Sequence, residues 1–288
     1  MLYNVVQLGD GRALGTVESG DPHGKPLFFF PGFGLSASAM HPNPNLATLA
    51  GVRLVAVDRP GIGMSSRLAN RSLSKWPEDI SELADKLGFN RFGVLGWSGG
   101  GPHALACAYR LGDRVSATGL FSCAPPFADK QAIASMPTEV KRLAFIARYA
   151  PVLLQVSFWN HCRQIREDAD AYLLKSTDKL SKADQDIVRD PRYCDSLKKS
   201  MIEACHQGPR GLHDDMRAIA RPWGFSLKDV RVPVLLWHGE IDKTIPVEVG
   251  RYLAGTLSNS SAKFLPNAGH FSYLTHWSQI LHALVTLM

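Results

Sequence analysis

Six short, nearly continuous apolar runs recur along the chain, and helical patterns separate most of them. Continuous apolar runs, unlike alternating ones, indicate strands whose two faces are both covered by helices. Two further segments near the start, NVVQL and ALGTVES, predict an opening hairpin. This alternation favours an α/β fold with a mostly parallel sheet and helices on both of its faces. The six runs predicted to be buried strands span residues 25–32, 52–58, 91–97, 115–122, 232–239 and 262–266.

One long stretch breaks this rhythm. From residue 127 to residue 225 there is no convincing strand, and several helical patterns follow one another. Turn-rich segments, APPF at 124–127 and RPWGF at 221–225, bracket the stretch. The sequence therefore predicts a core formed by residues 1–126 and 226–288. Residues 127–225 are predicted to be a helical cap inserted between two strands of that core.

Composition narrows the classes of function. The chain has 288 residues, of which 45% are hydrophobic, enough for a buried core. Its net charge of +6 is spread evenly, without a basic run or an interleaved aromatic stripe, so we expect no nucleic-acid partner. No apolar run is long enough to span a membrane, and the first residues show no leader pattern. Composition leaves the oligomeric state open.

The cysteines and the short motifs bear on compartment and cofactors. Five cysteines, an odd number without a CxxC pair, argue against a disulfide framework and against a zinc cluster. This usage is typical of a reducing compartment and predicts a cytoplasmic protein. Because neither an HExxH motif nor a dinucleotide fingerprint is present, we expect no metal and no organic cofactor.

Ser98 stands in the pentapeptide GWSGG, residues 96–100, which matches the pattern G-x-S-x-G. The motif directly follows a predicted strand and opens a predicted helix, which is the context of a nucleophile elbow. Small residues at its two ends let strand and helix pass closely. The strained turn then pushes the hydroxyl clear of the sheet edge, near a helix N-terminus. The alternative is a phosphate-binding loop, but no lysine follows the glycines, so Ser98 is the predicted nucleophile.

A serine hydroxyl needs a base to take its proton, and the base needs an orienting acceptor. Asp242 lies in the loop after the run VPVLLWHG, and His270 lies beyond the next run, after a Pro-Asn-Ala-Gly turn. Because the carboxyl ends of strands in an open α/β sheet point to one crevice, we expect these loops to converge with that of Ser98. Glu240 is the fallback acid and His238 is expected to be structural. His103 is expected to point away from the crevice and to be either packed or exposed at the surface.

From Leu27 onward the chain resembles the α/β-hydrolase superfamily, in its serine-nucleophile, esterase-like branch with a helical cap. The segments FFFPGFG, VDRPGIGMSS, GWSGGG, HGEIDKTIP and NAGH occur in the order found in that family. The resemblance implies a catalytic triad of Ser98 as nucleophile, Asp242 as acid and His270 as base. It also implies an oxyanion hole made by the backbone N–H groups of Phe33 and Gly99.

The chain departs from many members at one place, where Pro31 and Gly32 replace His-Gly. Proline has no N–H group, but the expected donor lies on Phe33, so we expect the oxyanion hole to survive. The sequence leaves open how this loop packs and which residues Phe33 contacts.

Three hypotheses for function follow. The first is hydrolysis of a carboxylic ester or related small acyl compound through an acyl-serine. The second keeps the fold and triad but uses them for C–C bond hydrolysis, aminopeptidase, acyl-transfer or cofactor-free peroxidase chemistry, since function depends on the site and not on the fold. The third is a binding protein with a vestigial triad, which the intact Ser98, Asp242 and His270 disfavour. The first is the preferred interpretation.

The substrate pocket is predicted from aromatic residues near the serine and in the first cap segments. Trp97, Phe145, Tyr149 and Phe158 are the candidates, and an apolar acyl substrate without a carboxylate anchor is expected.

Overall fold

The computed structural model describes residues 2–288, in which eight strands form one sheet. The strands are β1 (Leu2–Gln7), β2 (Ala13–Gly20), β3 (Lys25–Phe30), β4 (Val52–Val57), β5 (Phe92–Trp97), β6 (Val115–Phe121), β7 (Val234–Gly239) and β8 (Ser260–Leu265). Their order across the sheet is β1-β2-β4-β3-β5-β6-β7-β8. β1 and β2 form the predicted hairpin, β2 is antiparallel to β4, and every later pair is parallel.

Eleven α-helices accompany the sheet in the described residues. They are α1 (Asn45–Leu49), α2 (Trp76–Lys86), α3 (Gly101–Arg110), α4 (Thr138–Tyr149), α5 (Val152–Glu167), α6 (Ala169–Thr177), α7 (Lys182–Arg189), α8 (Pro191–Ala204), α9 (Arg210–Ala220), α10 (Val247–Thr256) and α11 (Trp277–Val285). Phe29 of β3 packs edge-on against Trp277 of α11, whereas Phe30 packs against Trp76 of α2. Neighbouring strand residues therefore enter two cores on opposite faces, as the period of a strand requires. The predicted α/β fold is confirmed.

Strand β8 differs from its prediction. It pairs only with β7 and forms an edge of the sheet, so Ser261, Ala262 and Lys263 are exposed. The prediction that this run is buried was wrong because a strand at an edge has a neighbour on one side only. A lysine on such an edge discourages pairing with another chain.

Helices α4–α9 lie in the chain between β6 and β7, and no strand occurs among the described residues 122–233. We call α4–α9 the helical insertion. It contacts the loop after β3 through Glu203 at the end of α8, which accepts hydrogen bonds from the hydroxyls of Ser36 and Ser38, both at 2.6 Å. The boundaries at residues 127 and 225 stay a prediction.

Candidate active site

Ser98 follows β5 directly and begins the short helical turn that leads into α3. Its φ angle is +53°, a left-handed conformation that is strained for any residue with a Cβ. The neighbouring glycines make this turn sterically feasible. A Cβ on Gly96 would lie 2.5 Å from the carbonyl oxygen of Gly100, and one on Gly100 would collide with the carbonyl of Phe30. The serine is partly exposed while both glycines are buried, so the turn holds its side chain at the surface of the core.

Asp242 and His270 meet in a buried hydrogen bond. Nδ1 of His270 lies 2.8 Å from Oδ2 of Asp242. The other carboxylate oxygen, Oδ1, accepts hydrogen bonds from the backbone N–H groups of Thr244 at 2.8 Å and Ile245 at 2.9 Å. These bonds fix the carboxylate in the loop after β7. The acceptor at Nδ1 favours the imidazole tautomer that carries its proton there and leaves Nε2 free to accept one.

The pair also shifts the titration of both groups. Burial opposes ionisation of Asp242, but attraction to His270 and the hydrogen bonds it accepts hold its pKa below the ordinary value. Burial by itself would lower the pKa of His270, but the carboxylate of Asp242 outweighs burial and raises this pKa above the ordinary value. The site is thus arranged to stabilise an imidazolium next to a carboxylate.

Trp97 links the serine turn to the histidine loop. Its indole Nε1 donates a hydrogen bond to the backbone carbonyl of His270 at 3.0 Å, and the two rings lie 5.4 Å apart. The residue before the serine thereby holds the residue predicted to be its base. Among the described residues, no hydrogen bond joins the hydroxyl of Ser98 to the ring of His270. Such bonds often tighten only when substrate binds.

Phe33 and Gly99 lie next to each other, as the oxyanion-hole prediction requires. A Cβ on Gly99 would stand 2.9 Å from the backbone nitrogen of Phe33. In the described part of the chain, the N–H of Phe33 donates no hydrogen bond. Gly99 lies in the first turn that leads into α3, where N–H groups lack intrahelical acceptors. Two neighbouring N–H donors beside a serine are the groups that stabilise a tetrahedral oxyanion.

The packing of the loop before Phe33, which the sequence left open, depends on Arg59. The guanidinium donates hydrogen bonds to the carbonyl of Pro31 at 2.6 Å and to that of Gly32 at 2.9 Å. It also pairs with Asp215 of α9, with both side chains fully buried. The ring of Phe33 then faces that of Phe158 in α5, with 5.7 Å between the centroids.

Arg59 and Asp215 belong to a buried charge cluster that sequence reasoning missed. Arg71 also donates a hydrogen bond to Asp215, at 2.7 Å, and Nε2 of His103 lies 3.7 Å from the same carboxylate. Burial opposes ionisation of Asp215, but the two guanidinium groups lower its pKa to about 2. Burial lowers the pKa of His103 to about 3, so this histidine is neutral and structural. The sequence signal for this cluster was the pair of charged residues Asp58 and Arg59, which directly follows a buried strand.

The other candidates near the acid have different surroundings. Nε2 of His238 lies 2.8 Å from the carbonyl of Ile245 and 3.8 Å from Asp242, inside the strand as expected. Glu240, the fallback acid, is exposed. Neither Glu240 nor His238 makes a hydrogen bond to His270 in the described residues, whereas Asp242 does.

The predicted pocket residues fall into two groups. Trp97 and Phe158 are buried, at 2% and 5% exposure, and lie against His270 and Phe33 respectively. Phe145 and Tyr149 instead contact each other with tilted rings, 4.8 Å between the centroids, and are 63% and 61% exposed. Helix α4 is rotated so that its small residues Ala144 and Ala147 are the buried ones. That Phe145 and Tyr149 line the substrate pocket stays a prediction.

None of the helices in the described residues combines the length and the apolar character needed to cross a membrane. No group of three or more His, Cys, Asp or Glu side chains in residues 2–288 is arranged to hold a metal ion.

Comparison with known sequences places this geometry in a family. A family profile described as the alpha/beta hydrolase fold matches residues 25–276. The chain is 25% identical over 234 residues to 2-hydroxy-6-oxononadienedioate/2-hydroxy-6-oxononatrienedioate hydrolase 2 of Pseudomonas putida, covering 79% of this chain and 73% of the relative. It is 26% identical over 230 residues to the pimeloyl-[acyl-carrier protein] methyl ester esterase of Nitrosomonas europaea, covering 80% and 82%.

Solved structures share the fold along the full length of the chain. A bromoperoxidase from Bacillus anthracis superposes with a TM-score of 0.75 at 20% identity, covering 99% of both chains. The esterase RhEst1 from Rhodococcus sp. ECU1013 superposes with a TM-score of 0.72 at 18% identity, covering 100% of both. The profile match over most of the sequence, together with this architecture, shows that the chain belongs to the alpha/beta hydrolase fold family.

Proposed function

We propose that the protein is a serine hydrolase that cleaves a carboxylic ester or a related small acyl compound through an acyl-serine. Ser98 is the nucleophile, His270 the general base and Asp242 the residue that orients it. The proposal depends most on one observation, the buried 2.8 Å hydrogen bond between Nδ1 of His270 and Oδ2 of Asp242. The left-handed turn at Ser98, whose neighbour Trp97 donates to the carbonyl of His270, supports it. The chain's membership of the alpha/beta hydrolase fold family and its esterase relatives support an enzyme of the serine-hydrolase type.

Acylation begins when the hydroxyl oxygen of Ser98 attacks the ester carbonyl carbon and Nε2 of His270 takes the hydroxyl proton. The resulting oxyanion accepts hydrogen bonds from the N–H groups of Phe33 and Gly99, where each donor typically lowers the barrier by about 3–4 kcal/mol. Asp242 stabilises the imidazolium. When the tetrahedral intermediate collapses, His270 gives its proton to the departing alkoxide, which leaves as the alcohol.

Deacylation repeats these steps with water. His270 takes a proton from a water molecule that attacks the acyl carbonyl, and the same two N–H groups stabilise the second oxyanion. Collapse releases the carboxylic acid and returns the proton to Ser98. Every proton thus passes through Nε2 of His270, which is why Asp242 must hold the ring with Nδ1 protonated.

The substrate class follows from the side chains around the serine. Apolar rings lie close to the proposed catalytic residues: Trp97 lies against His270, and Phe33, which adjoins Gly99, lies against Phe158. Arg59, which lies behind the Pro31–Gly32 loop, is fully engaged by Asp215 and two carbonyls, so it is not a free anchor for an anion. An uncharged acyl group of small to medium size fits these surroundings. We also propose that residues 127–225 act as the cap over this pocket.

The test has two parts. A fluorophosphonate probe is expected to label the wild-type protein and not the Ser98→Ala variant, which loses a partly exposed hydroxyl without leaving a core cavity. Labelling of Ser98→Ala at the wild-type rate would overturn the assignment of the nucleophile. The second part is a panel of neutral esters of increasing acyl length, their ω-carboxylate analogues, amino-acid arylamides and diketones.

The panel also decides between reaction types. We expect the highest kcat/KM for neutral esters. One relative is named a hydrolase of 2-hydroxy-6-oxononadienedioate and another a non-heme chloroperoxidase, so the second type of chemistry stays open. Preference for carboxylate analogues, diketones or arylamides would move the assignment to that chemistry. We also propose a cytoplasmic location, which the odd number of cysteines without a CxxC pair favours.

A further inference from the structure

The loop that carries His270 is held by one carboxylate from the helical insertion. Asp184 lies in the first turn of α7 and is fully buried. Its Oδ2 accepts a hydrogen bond from the backbone N–H of His270 at 2.9 Å, and its Oδ1 accepts one from that of Phe271 at 2.7 Å. Ser181, the N-cap residue of α7, donates its hydroxyl to Oδ2 at 2.7 Å. The carboxylate therefore connects the start of α7 to two consecutive residues of the histidine loop.

Gly269 makes this approach possible. A Cβ at this position would collide with Oδ2 of Asp184, so the loop could not come as close with any other residue there. The N–H of Gly269 donates to the hydroxyl of Ser272 at 2.8 Å, which closes the turn on its other side. The backbone of residues 269–271 is thus shaped around the Asp184 carboxylate.

The charges around His270 come from three elements. Asp242 and His238 face it from β7 and the loop after it, and Asp184 faces it from α7. Burial lowers the pKa of His238, so this ring is neutral and leaves two carboxylates near the base. Burial alone would lower the pKa of His270, and Asp242 first and Asp184 second raise it. The two carboxylates act at different places, because Asp242 bonds the ring and Asp184 bonds the backbone.

We propose that Asp184 is a positioning residue for the base: it fixes the backbone of His270 from the helical insertion and supplies a second negative charge beside the ring. This inference rests on the proposed function, which assigns His270 as the base. If Asp184 has this role, the helical insertion also positions the base, in addition to its proposed role as a cap over the pocket. The base is correctly placed only while α7 is docked against the histidine loop.

The test compares Asp184→Asn with Asp186→Asn. Asparagine has one acceptor oxygen in place of two, so an NH₂ group would face one of the two loop N–H groups, and the negative charge would be gone. Asp186 lies on the same helix, is largely exposed and pairs with Lys182, which makes the same substitution there a matched control. For each variant, kcat and KM for a neutral ester are measured across the pH range, together with the thermal midpoint of unfolding.

We expect Asp184→Asn to lower kcat about tenfold or more, with a smaller change in KM, since a displaced base affects chemistry more than binding. We also expect the acid limb of its kcat/KM profile to move to lower pH. Asp186→Asn should match the wild type in both readouts. A purely structural role of Asp184 would not move the pH profile, so the acid limb separates the two roles. A folded Asp184→Asn variant with wild-type kcat and a wild-type acid limb would overturn the inference.

A measurement on the wild-type protein covers the case in which Asp184→Asn does not fold. Amide hydrogen exchange of His270 and Phe271 is expected to be slow, because both N–H groups donate to a buried carboxylate. Exchange of both amides at the rate of an exposed loop would overturn the inference. Fluorophosphonate labelling keeps the two proposals apart. A wild-type protein that is not labelled contradicts the proposed function, whereas a labelled one with unchanged Asp184→Asn kinetics contradicts only the role of Asp184.

Discussion

Arg59 and Asp215 form a fully buried ion pair between the loop after β4 and helix α9, with Nη2 2.9 Å from Oδ2. The same guanidinium holds the carbonyls of Pro31 and Gly32, directly before the predicted oxyanion donor Phe33. Asp184 makes a similar connection between α7 and the histidine loop. Two buried aspartates of the helical insertion therefore reach the loops that carry the predicted oxyanion donor, Phe33, and the proposed base, His270.

Asp215→Ala is expected to destabilise the protein strongly. It leaves Arg59 and Arg71 buried without their shared carboxylate, and breaking a buried ion pair typically costs about 3–5 kcal/mol. The free energy of unfolding in urea measures the effect. Asp195→Asn is the control, because Asp195 is 83% exposed and its pair with Lys198 is expected to contribute about 1 kcal/mol or less. Equal stability of the two variants would contradict the role given to the cluster.

Arg59→Lys is expected to lower kcat. Lysine keeps the positive charge, but its single ammonium group lacks the planar fork that reaches Asp215 and two carbonyls at once. The loop before Phe33 then loses its fixed position, and we expect kcat to fall about tenfold or more, since one oxyanion donor contributes about 10²–10³ in kcat. Arg53→Lys, at the partly exposed pair with Glu18, is the control. An unchanged kcat in Arg59→Lys would show that the loop does not depend on the guanidinium.

Asp242→Asn is expected to lower kcat by about 10³–10⁴, because an amide at this position favours the wrong tautomer of His270. Glu240→Gln should leave kcat within about twofold of the wild type, since Glu240 is exposed and makes no bond to the ring. Steady-state kinetics on one neutral ester compares the two. A larger loss in Glu240→Gln than in Asp242→Asn would mean that the acid is Glu240.

The pH dependence follows from the direction of the His270 shift. The base must be neutral to accept a proton, so kcat/KM falls as the pH drops through its pKa. Asp242 raises this pKa above the ordinary value of about 6.5, so the midpoint of the acid limb is expected above that pH. Asp242→Asn removes the attraction and should move the midpoint to lower pH. A profile that stays flat from acid to neutral pH would contradict a histidine base.

Phe158→Leu and Phe145→Leu separate the two groups of predicted pocket residues. Phe158 is buried against Phe33. If it forms part of the proposed pocket, its replacement should alter the dependence of kcat/KM on acyl length. One methylene in an apolar pocket is typically worth about 10–200-fold in specificity. Phe145 is exposed, and its replacement should leave the acyl-length profile unchanged. An altered profile in Phe145→Leu alone would support the original expectation for α4.

Much of the site could be predicted from local pattern. The strand runs, the Gly96–Gly100 pentapeptide and the chain order of serine, aspartate and histidine are properties of neighbouring residues. Local spacing dictates them, because each depends on the period of a strand or on the steric limits of one turn. Parallel strands then bring the three loops to one edge of the sheet, which a topology argument anticipates.

Local pattern was insufficient where both faces of a segment are apolar or where the partner is distant in sequence. Helix α4 carries aromatics on one face and alanines on another, and hydrophobicity alone did not indicate that the alanines face inward. The run at 262–266 has the composition of a buried strand, but its place at the sheet edge exposes it.

The sequence by itself determined the fold, the strained serine turn and the candidate triad, since these follow from short-range sterics and from the order of the strands. Only the tertiary structure decided what holds the triad in place. Asp184 meets His270 across 86 residues, and Asp215 meets Arg59 across 156. An aspartate in an amphipathic helix carries no local sign of its partner. Its burial becomes favourable only when packing brings N–H or guanidinium donors to both of its oxygens.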